Sequence, residues 1–152
     1  LEPDAVVVLD NGGREDATVW GDILTFVAHQ KNIAGTVIDG ACRDVHLCLE
    51  LGYPIYSRSY SMRTGKDRVQ VEGVNVPVNI GEARVCPGDL LRGDADGVVV
   101  IPQAFEDELL SVAESIDEAE RRIREAVNLG KRLDEARVSN RYYELQRGEE
   151  EQ

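Results

Sequence analysis

The chain opens with a continuous β-branched run, AVVVL at residues 5–9, the pattern of a strand buried on both faces. Asp10-Asn11-Gly12-Gly13 interrupts it with turn chemistry, and two adjacent glycines let backbone amides approach an anion. From Asp22 to Lys31 the period changes. Ile23, Phe26, Val27 and Gln30 fall at i, i+3, i+4 and i+7, which predicts a helix with one apolar face and Asp22 at its N-cap. Gly35 to Asp39 reads as a second strand, Gly40-Ala41 as a turn, and Val45 to Leu51 as a second helix. Gly52-Tyr53-Pro54 leads into a third strand from Ile55. The order β-α-β-α-β predicts an α/β fold with a parallel or mixed sheet.

The second half changes character. Arg58 to Asp67 is rich in hydroxyls and bases and reads as a surface or ligand-covering loop. Arg68 to Ile80 alternates apolar and polar positions, predicting two short antiparallel strands around Gly73. Pro87-Gly88-Asp89 is a turn, Gly93 to Gly97 a hairpin turn, and Val98 to Ile101 a strand stopped by Pro102. Leu109, Val112, Ile116, Ala119, Ile123, Ala126 and Val127 then form one helical stripe. Asp117-Arg121, Glu118-Arg122 and Glu120-Arg124 have i,i+4 spacing in the favourable order. One long helix is expected over residues 103–136, contacting another subunit, with Gly130 as its point of interruption. Tyr142 to Leu145 reads as an anchor and Arg147 to Gln152 as a solvated tail.

At 152 residues, one domain over 1–152 is the expectation. The formal charge is −12, from 29 acidic against 17 basic residues, which argues against nucleic acid and anionic membrane surfaces as partners. Three cysteines, Cys42, Cys48 and Cys86, lack metal-type spacing and fit free thiols in a reducing, cytoplasmic compartment. No apolar run approaches the length of a membrane span, and no signal peptide is visible. The chain begins at Leu1, almost directly in a strand, and its methionine is Met62, so an upstream segment is expected to be missing.

Candidate chemistry gathers at the start of the first helix and the end of the second strand. Asp22, Arg43 and Asp44 stand there, and open α/β sheets bind ligands at such edges. A carboxylate at a strand end can hold a hard divalent cation directly or through waters. An adjacent guanidinium can grip a carboxylate or carbonyl oxygen. Helix-start amides can receive an anion. The set suits a small α-keto acid, with a metal polarising the keto oxygen.

Asp22, twenty intervening residues and Arg43-Asp44 resemble the D-x20-R-D signature of the HMG/CHA aldolases in the RraA-like family. VVVLDNGG, GTVIDGACRD and PGDLLRGDADGVVVIP match the surroundings. The resemblance implies an RraA-like swivelling α/β/α sandwich with a mixed sheet and a long C-terminal helix, assembled as a homotrimer or homohexamer. It implies a lyase that cleaves 4-hydroxy-2-oxo acids to pyruvate with Mg²⁺ or Mn²⁺, and oxaloacetate decarboxylation beside it. By position, Asp44 is the implied metal ligand, partly through waters. Arg43 is placed on the keto oxygen of the 2-oxo acid, helping to stabilise the enolate. Asp22 orients metal-bound water, and amides near Ile23 and Leu24 hold the pyruvyl carboxylate. A neighbour's terminal helix supplies an acid, best matched by Glu120, then Glu118 and Asp117. Relatives that inhibit a ribonuclease imply the alternative of a protein-binding regulator without catalysis.

Overall fold

The computed structural model describes residues 1–145 and divides the chain into two compact units, Leu1–Gln103 and Ala104–Gln152. The tail expected over Arg147–Gln152 lies outside the described residues.

The first unit is built on three parallel strands. β1 (Val6–Trp20), β2 (Gly35–Cys42) and β3 (Ile55–Tyr60) lie in the order β1-β2-β3. Helices α1 (Asp22–Gln30) and α2 (Val45–Glu50) make the crossovers. β2 is central, and all eight of its residues are buried, as its apolar run requires of a strand covered on both faces. Trp20, Ala28, Ile33, Ile38, Cys42 and Tyr53 form the core around it. The buried Tyr53 hydroxyl is matched with Thr36 Oγ1 at 2.8 Å.

Two boundaries differ from the sequence pattern. Asp10 to Gly13 does not end β1. Asp10 pairs with Asp39 and Arg14 with Gly40, so β1 advances four residues while β2 advances one. Gly12 and Gly13, at φ +61° and +69°, carry that excursion, which side chains with a Cβ would resist. β2 likewise runs through Gly40-Ala41 to Cys42 instead of turning there.

Two hairpins follow: β4 (Val78–Ile80) with β5 (Ala83–Val85), and β6 (Leu90–Asp94) with β7 (Gly97–Ile101). The second turns at Ala95-Asp96, where the Asp96 amide donates to Asp94 Oδ1 at 2.9 Å. The strands expected within 68–77 do not form. That segment is irregular, and Val71 and Val74 are exposed. Among the described residues no strand pairs with it, so the alternation alone is not sufficient.

In the second unit, α3 (Glu106–Asn128), α4 (Leu133–Ser139) and α5 (Tyr142–Leu145) follow a short 3₁₀ turn at Gln103–Phe105. The helix expected over 103–136 therefore stops at Asn128, and Gly130 at φ +90° reverses the chain before α4. Ala119, Ile123 and Ala136 are buried. Glu118 and Glu120 pair with Arg122 and Arg124 at 3.5 and 3.2 Å. Arg121 instead pairs with Glu125 at 2.9 Å, leaving Asp117 to Arg124 at 3.7 Å.

Among the described residues no helix is long and apolar enough to cross a membrane.

Candidate functional site

The parallel register places the site. Trp20, the last residue of β1, pairs with Cys42, the last of β2. The chain then leaves both strands side by side, and the Arg43 amide still donates to Trp20 O at 3.1 Å. Gly21 and Asp22 emerge from one strand, Arg43 and Asp44 from the other. Asp44 Oδ2 lies 3.4 Å from Arg43 Nε and accepts a long hydrogen bond, also 3.4 Å, from the Asp22 amide. The structure thus brings together all three polar residues singled out from the sequence. Both Arg43 and Asp44 remain partly open to solvent.

Gly21 makes this approach possible. A Cβ there would lie 2.8 Å from Arg43 Nε and 2.9 Å from Asp44 Oδ2. Gly21, not Asp22, is the N-cap of α1. Asp22 is the first helical residue, and its Oδ1 accepts from the Ile23 amide at 2.8 Å. The Ile23 amide, expected to be open to a ligand carboxylate, is therefore engaged by Asp22. A carboxylate in the first turn still suits the positive end of the helix. Asp44 adopts a left-handed conformation, φ 55° and ψ 36°, and begins α2, which Asp tolerates better than most residues.

Below the site, one buried hydroxyl holds the supporting elements. Thr25 Oγ1 donates to Gly21 O at 3.0 Å and accepts from Trp20 Nε1 at 2.9 Å. Cys48 Sγ on α2 lies 3.2 Å away. With its single proton committed to Gly21, the hydroxyl must accept from the Cys48 thiol. Burial pushes the neighbouring Cys42 thiol up to about 12, so it is unreactive.

Asp22, Ile23, Leu24 and Arg43 line a cavity of about 1090 Å³. Its other walls include Asp10, Asn11, Gly12 and Arg14 of β1, and the Thr64–Lys66 turn. The sequence offered only the double glycine and the hydroxyl- and base-rich composition of 58–67 as signals for these walls. A second ion pair stands nearby in the fold. Asp39 is buried, receives Arg58 Nε, and accepts from the Gly81 amide at 3.3 Å. The Arg58 guanidinium beside it holds its carboxyl below the usual carboxylate range. Asp10 Oδ2 accepts from the Asn79 amide at 3.1 Å, so two acids tie the β4–β5 hairpin to the sheet.

Glu120 lies in the second unit. Its Oε1 accepts from the Tyr142 hydroxyl at 2.8 Å and its Oε2 from Arg124 at 3.2 Å. The tyrosine hydrogen bond, followed by Arg124, holds its carboxyl below the ordinary value.

The donor set can be tested against a divalent metal. Among the described residues no cluster of three or more His, Cys, Asp or Glu could cage one. Asp44 offers a partly exposed carboxylate, whose Oδ1 has no hydrogen-bond partner among the described residues. One carboxylate plus water fits Mg²⁺ or Mn²⁺, which retain hydration, and does not fit a structural zinc site.

The architecture and this strand-end site define a class. The RraA-like family model (Aldolase/RraA) matches residues 1–100, and the chain belongs to that family. It is 39% identical over 133 residues to Protein DlpA of Legionella pneumophila, covering 88% of this chain and 22% of that protein. It is 37% identical over 123 residues to a Halalkalibacterium halodurans protein provisionally named 4-hydroxy-4-methyl-2-oxoglutarate aldolase, covering 79% of this chain and 58% of that one. The chain therefore spans 22% and 58% of the length of these two relatives. An uncharacterized protein from Pseudomonas syringae pv. tomato superimposes with a TM-score of 0.88 at 42% identity, covering 90% of this chain and 68% of that one. Streptomyces coelicolor RraAS2, described as an unusual member of the RNase ES inhibitor RraA family, gives 0.72 at 31% identity, covering 80% and 62%.

Proposed function

We propose that this protein is a divalent-metal-dependent lyase that cleaves 4-hydroxy-2-oxo acids to pyruvate and decarboxylates oxaloacetate. The observation that carries the reading is the meeting of Asp22, Arg43 and Asp44 within 3.4 Å contacts beside an open cavity. The name shared by several relatives, 4-hydroxy-4-methyl-2-oxoglutarate aldolase, supports it.

Asp44 is the residue that would hold Mg²⁺ or Mn²⁺, and the metal would supply Lewis-acid polarisation of the keto oxygen. Arg43 donates to that oxygen and stabilises charge developing on it. The Leu24 amide, in the first turn of α1 and without a hydrogen-bond partner among the described residues, receives the substrate carboxylate. Asp22 holds a water for proton delivery, and Glu120 from a second copy completes the site. Assembly as a homotrimer or homohexamer is supported by α1. Its predicted apolar face is not buried in this chain: Ile23, Phe26 and Val27 are 70%, 51% and 44% exposed. Residues that obey a helical period yet face outward are the pattern of a subunit contact.

The test is pyruvate release from a 4-hydroxy-2-oxo diacid and from oxaloacetate, with Mg²⁺ and with EDTA. Metal-dependent turnover is expected, and Asp44→Ala and Arg43→Ala are each expected to lose most of it while staying folded. No metal-dependent turnover of either substrate defeats the proposal. A second reading, a protein-binding regulator of a ribonuclease, draws on the likeness to RraAS2 and the −12 charge. Salt-sensitive capture of the endonuclease by a catalytically silent protein would select it.

A further inference from the structure

The peptide unit that joins Gly21 to Asp22 is held on both sides. Its carbonyl, Gly21 O, accepts from the Thr25 amide and from Thr25 Oγ1, each at 3.0 Å, so both lone pairs are engaged. Its N–H, on Asp22, donates to Asp44 Oδ2 at 3.4 Å. A peptide unit is planar and stiff. Fixing the direction of the carbonyl therefore fixes the direction in which the Asp22 N–H points. The preceding carbonyl, Trp20 O, is tied down as well, by the Arg43 amide at 3.1 Å.

Thr25 has no hydrogen-bonding capacity left over. It is fully buried. Its one proton goes to Gly21 O, and its two lone pairs take Trp20 Nε1 at 2.9 Å and the Cys48 thiol at 3.2 Å. Trp20 ends β1, Gly21 caps α1, and Cys48 sits on α2, whose N-cap is Asp44. One hydroxyl thus holds both the donor peptide and the helix that begins at its acceptor. The Asp44 carboxylate is left asymmetric. Oδ2 receives the Asp22 amide and lies 3.4 Å from Arg43 Nε, while Oδ1 has no hydrogen-bond partner among the described residues.

We infer that Thr25 is a positioning residue for Asp44: through one peptide unit it aims the N–H that engages Oδ2, and so leaves Oδ1 to the cation. This rests on the reading of Asp44 as the residue that holds Mg²⁺ or Mn²⁺. A carboxylate hydrogen-bonded on one oxygen is held in orientation for a ligand on the other, as outer partners do for metal ligands generally. Thr25 touches neither substrate nor metal, so its effect is read as affinity for the cation in the folded protein. A merely structural threonine would act on stability alone, and Thr36 supplies that comparison. It is equally buried, its hydroxyl is matched with the Tyr53 hydroxyl at 2.8 Å, and it lies six residues, or about 20 Å, before Cys42 on β2.

The test measures Mn²⁺ binding by electron paramagnetic resonance for wild type, Thr25→Val, Thr25→Ser, Cys48→Ala, Thr36→Val and Asp44→Asn. Asp44→Asn marks the Mn²⁺ held at this carboxylate rather than elsewhere on an acidic chain. Thr25→Val should weaken that site about tenfold, the lower end of what outer partners of a metal ligand cost. Thr25→Ser, which keeps the hydroxyl, should recover most of the loss. Cys48→Ala cuts only the tie to α2 and should weaken the site by a smaller factor. Thr36→Val should bind as wild type despite losing a buried hydrogen bond. Equal weakening in Thr25→Val and Thr36→Val, no weakening in Thr25→Val or in Cys48→Ala, no recovery in Thr25→Ser, or unchanged binding in Asp44→Asn overturns the inference. Mn²⁺ affinity that follows Thr25 in this way, without pyruvate release from either substrate, would defeat the lyase proposal alone. Metal-dependent turnover with Mn²⁺ affinity indifferent to Thr25→Val would defeat this inference alone.

Discussion

Gly21→Ala separates the site from the stability of the fold. The new Cβ would lie 2.8 Å from Arg43 Nε, 2.9 Å from Asp44 Oδ2 and 3.1 Å from Arg43 Cγ. Ordinary van der Waals contact begins at 3.4 Å, so the guanidinium must give by about 0.6 Å. A misplacement of about 1 Å in a catalytic group costs on the order of a hundredfold, so roughly tenfold in kcat/KM is expected. The backbone does not object, because Gly21 is extended at φ −162°. Exchange at an N-cap costs within about 1 kcal/mol. Gly52→Ala is the matched control. Gly52 has φ +61° with open space around its Cβ, so alanine costs about 1 kcal/mol of backbone strain without touching the site. The measurements are pyruvate release under saturating Mg²⁺, Mn²⁺ affinity by electron paramagnetic resonance, and urea midpoints for both variants. Wild-type turnover and Mn²⁺ affinity in Gly21→Ala would refute the reasoning, as would an equal loss of turnover in Gly52→Ala.

Three further outcomes follow from the buried polar groups. Arg58, then the Gly81 amide, holds the Asp39 carboxyl below its ordinary value of 3.8, so its stabilisation is complete above that value and lost as pH falls through the lower folded value. Urea midpoints from pH 6 downward should fall more steeply for wild type than for Asp39→Asn, and parallel curves would contradict this. Thr25→Val should cost about 2–3 kcal/mol in denaturant unfolding, because it strips partners from Trp20 Nε1, Gly21 O and Cys48 Sγ together; Thr25→Ser should recover most of it. In thiol labelling of the folded protein, the half-buried Cys86 should react first and Cys42 only on unfolding, since its thiol sits near 12; early mass-tagging of Cys42 would show that its burial is breached.

What the sequence made legible, and what it hid, divides along one physical line. Period and breakers mark elements whose partners are close in the chain. The β-α-β-α-β order, α1, the Pro87-Gly88-Asp89 turn and the β6–β7 hairpin all emerged where expected. Long-range pairing is a different matter. Asp10 to Gly13 has every mark of a turn, yet β1 resumes because β2 offers Gly40 and Ala41 as partners beyond it. Val69 to Val76 has the marks of strands, yet finds no neighbour. Stripe positions on α3 gave Ala119 and Ile123 as buried, while Leu109 and Val112 stand half open. The Asp39–Arg58 pair could not be read at all, since nothing local joins residues nineteen apart on adjacent strands.

The site was more legible than the cavity around it, and the register explains why. β2 is buried along its whole length and its Asp39 is already engaged by Arg58 and the Gly81 amide, so its open polar groups come only after its last paired residue, Cys42. β1 likewise presents Asp22 only after Trp20. Because Trp20 and Cys42 are partners, the residues that follow each strand are forced into contact, Gly21 against Arg43 and the Asp22 amide against Asp44. The twenty-residue spacing between Asp22 and Arg43 thus measures a crossover: one helix, one turn and one strand returning to the same level. It is read from sequence because it is set by the length of regular elements. Thr64 and Lys66 reach the cavity through contacts of Thr18 with Arg63 and Thr64 across an irregular segment, for which no spacing rule exists. A one-residue shift between β1 and β2 would turn every β2 side chain to the opposite face. It would also part Asp44 from the start of α1, so the same pairing that buries the core assembles the candidate site.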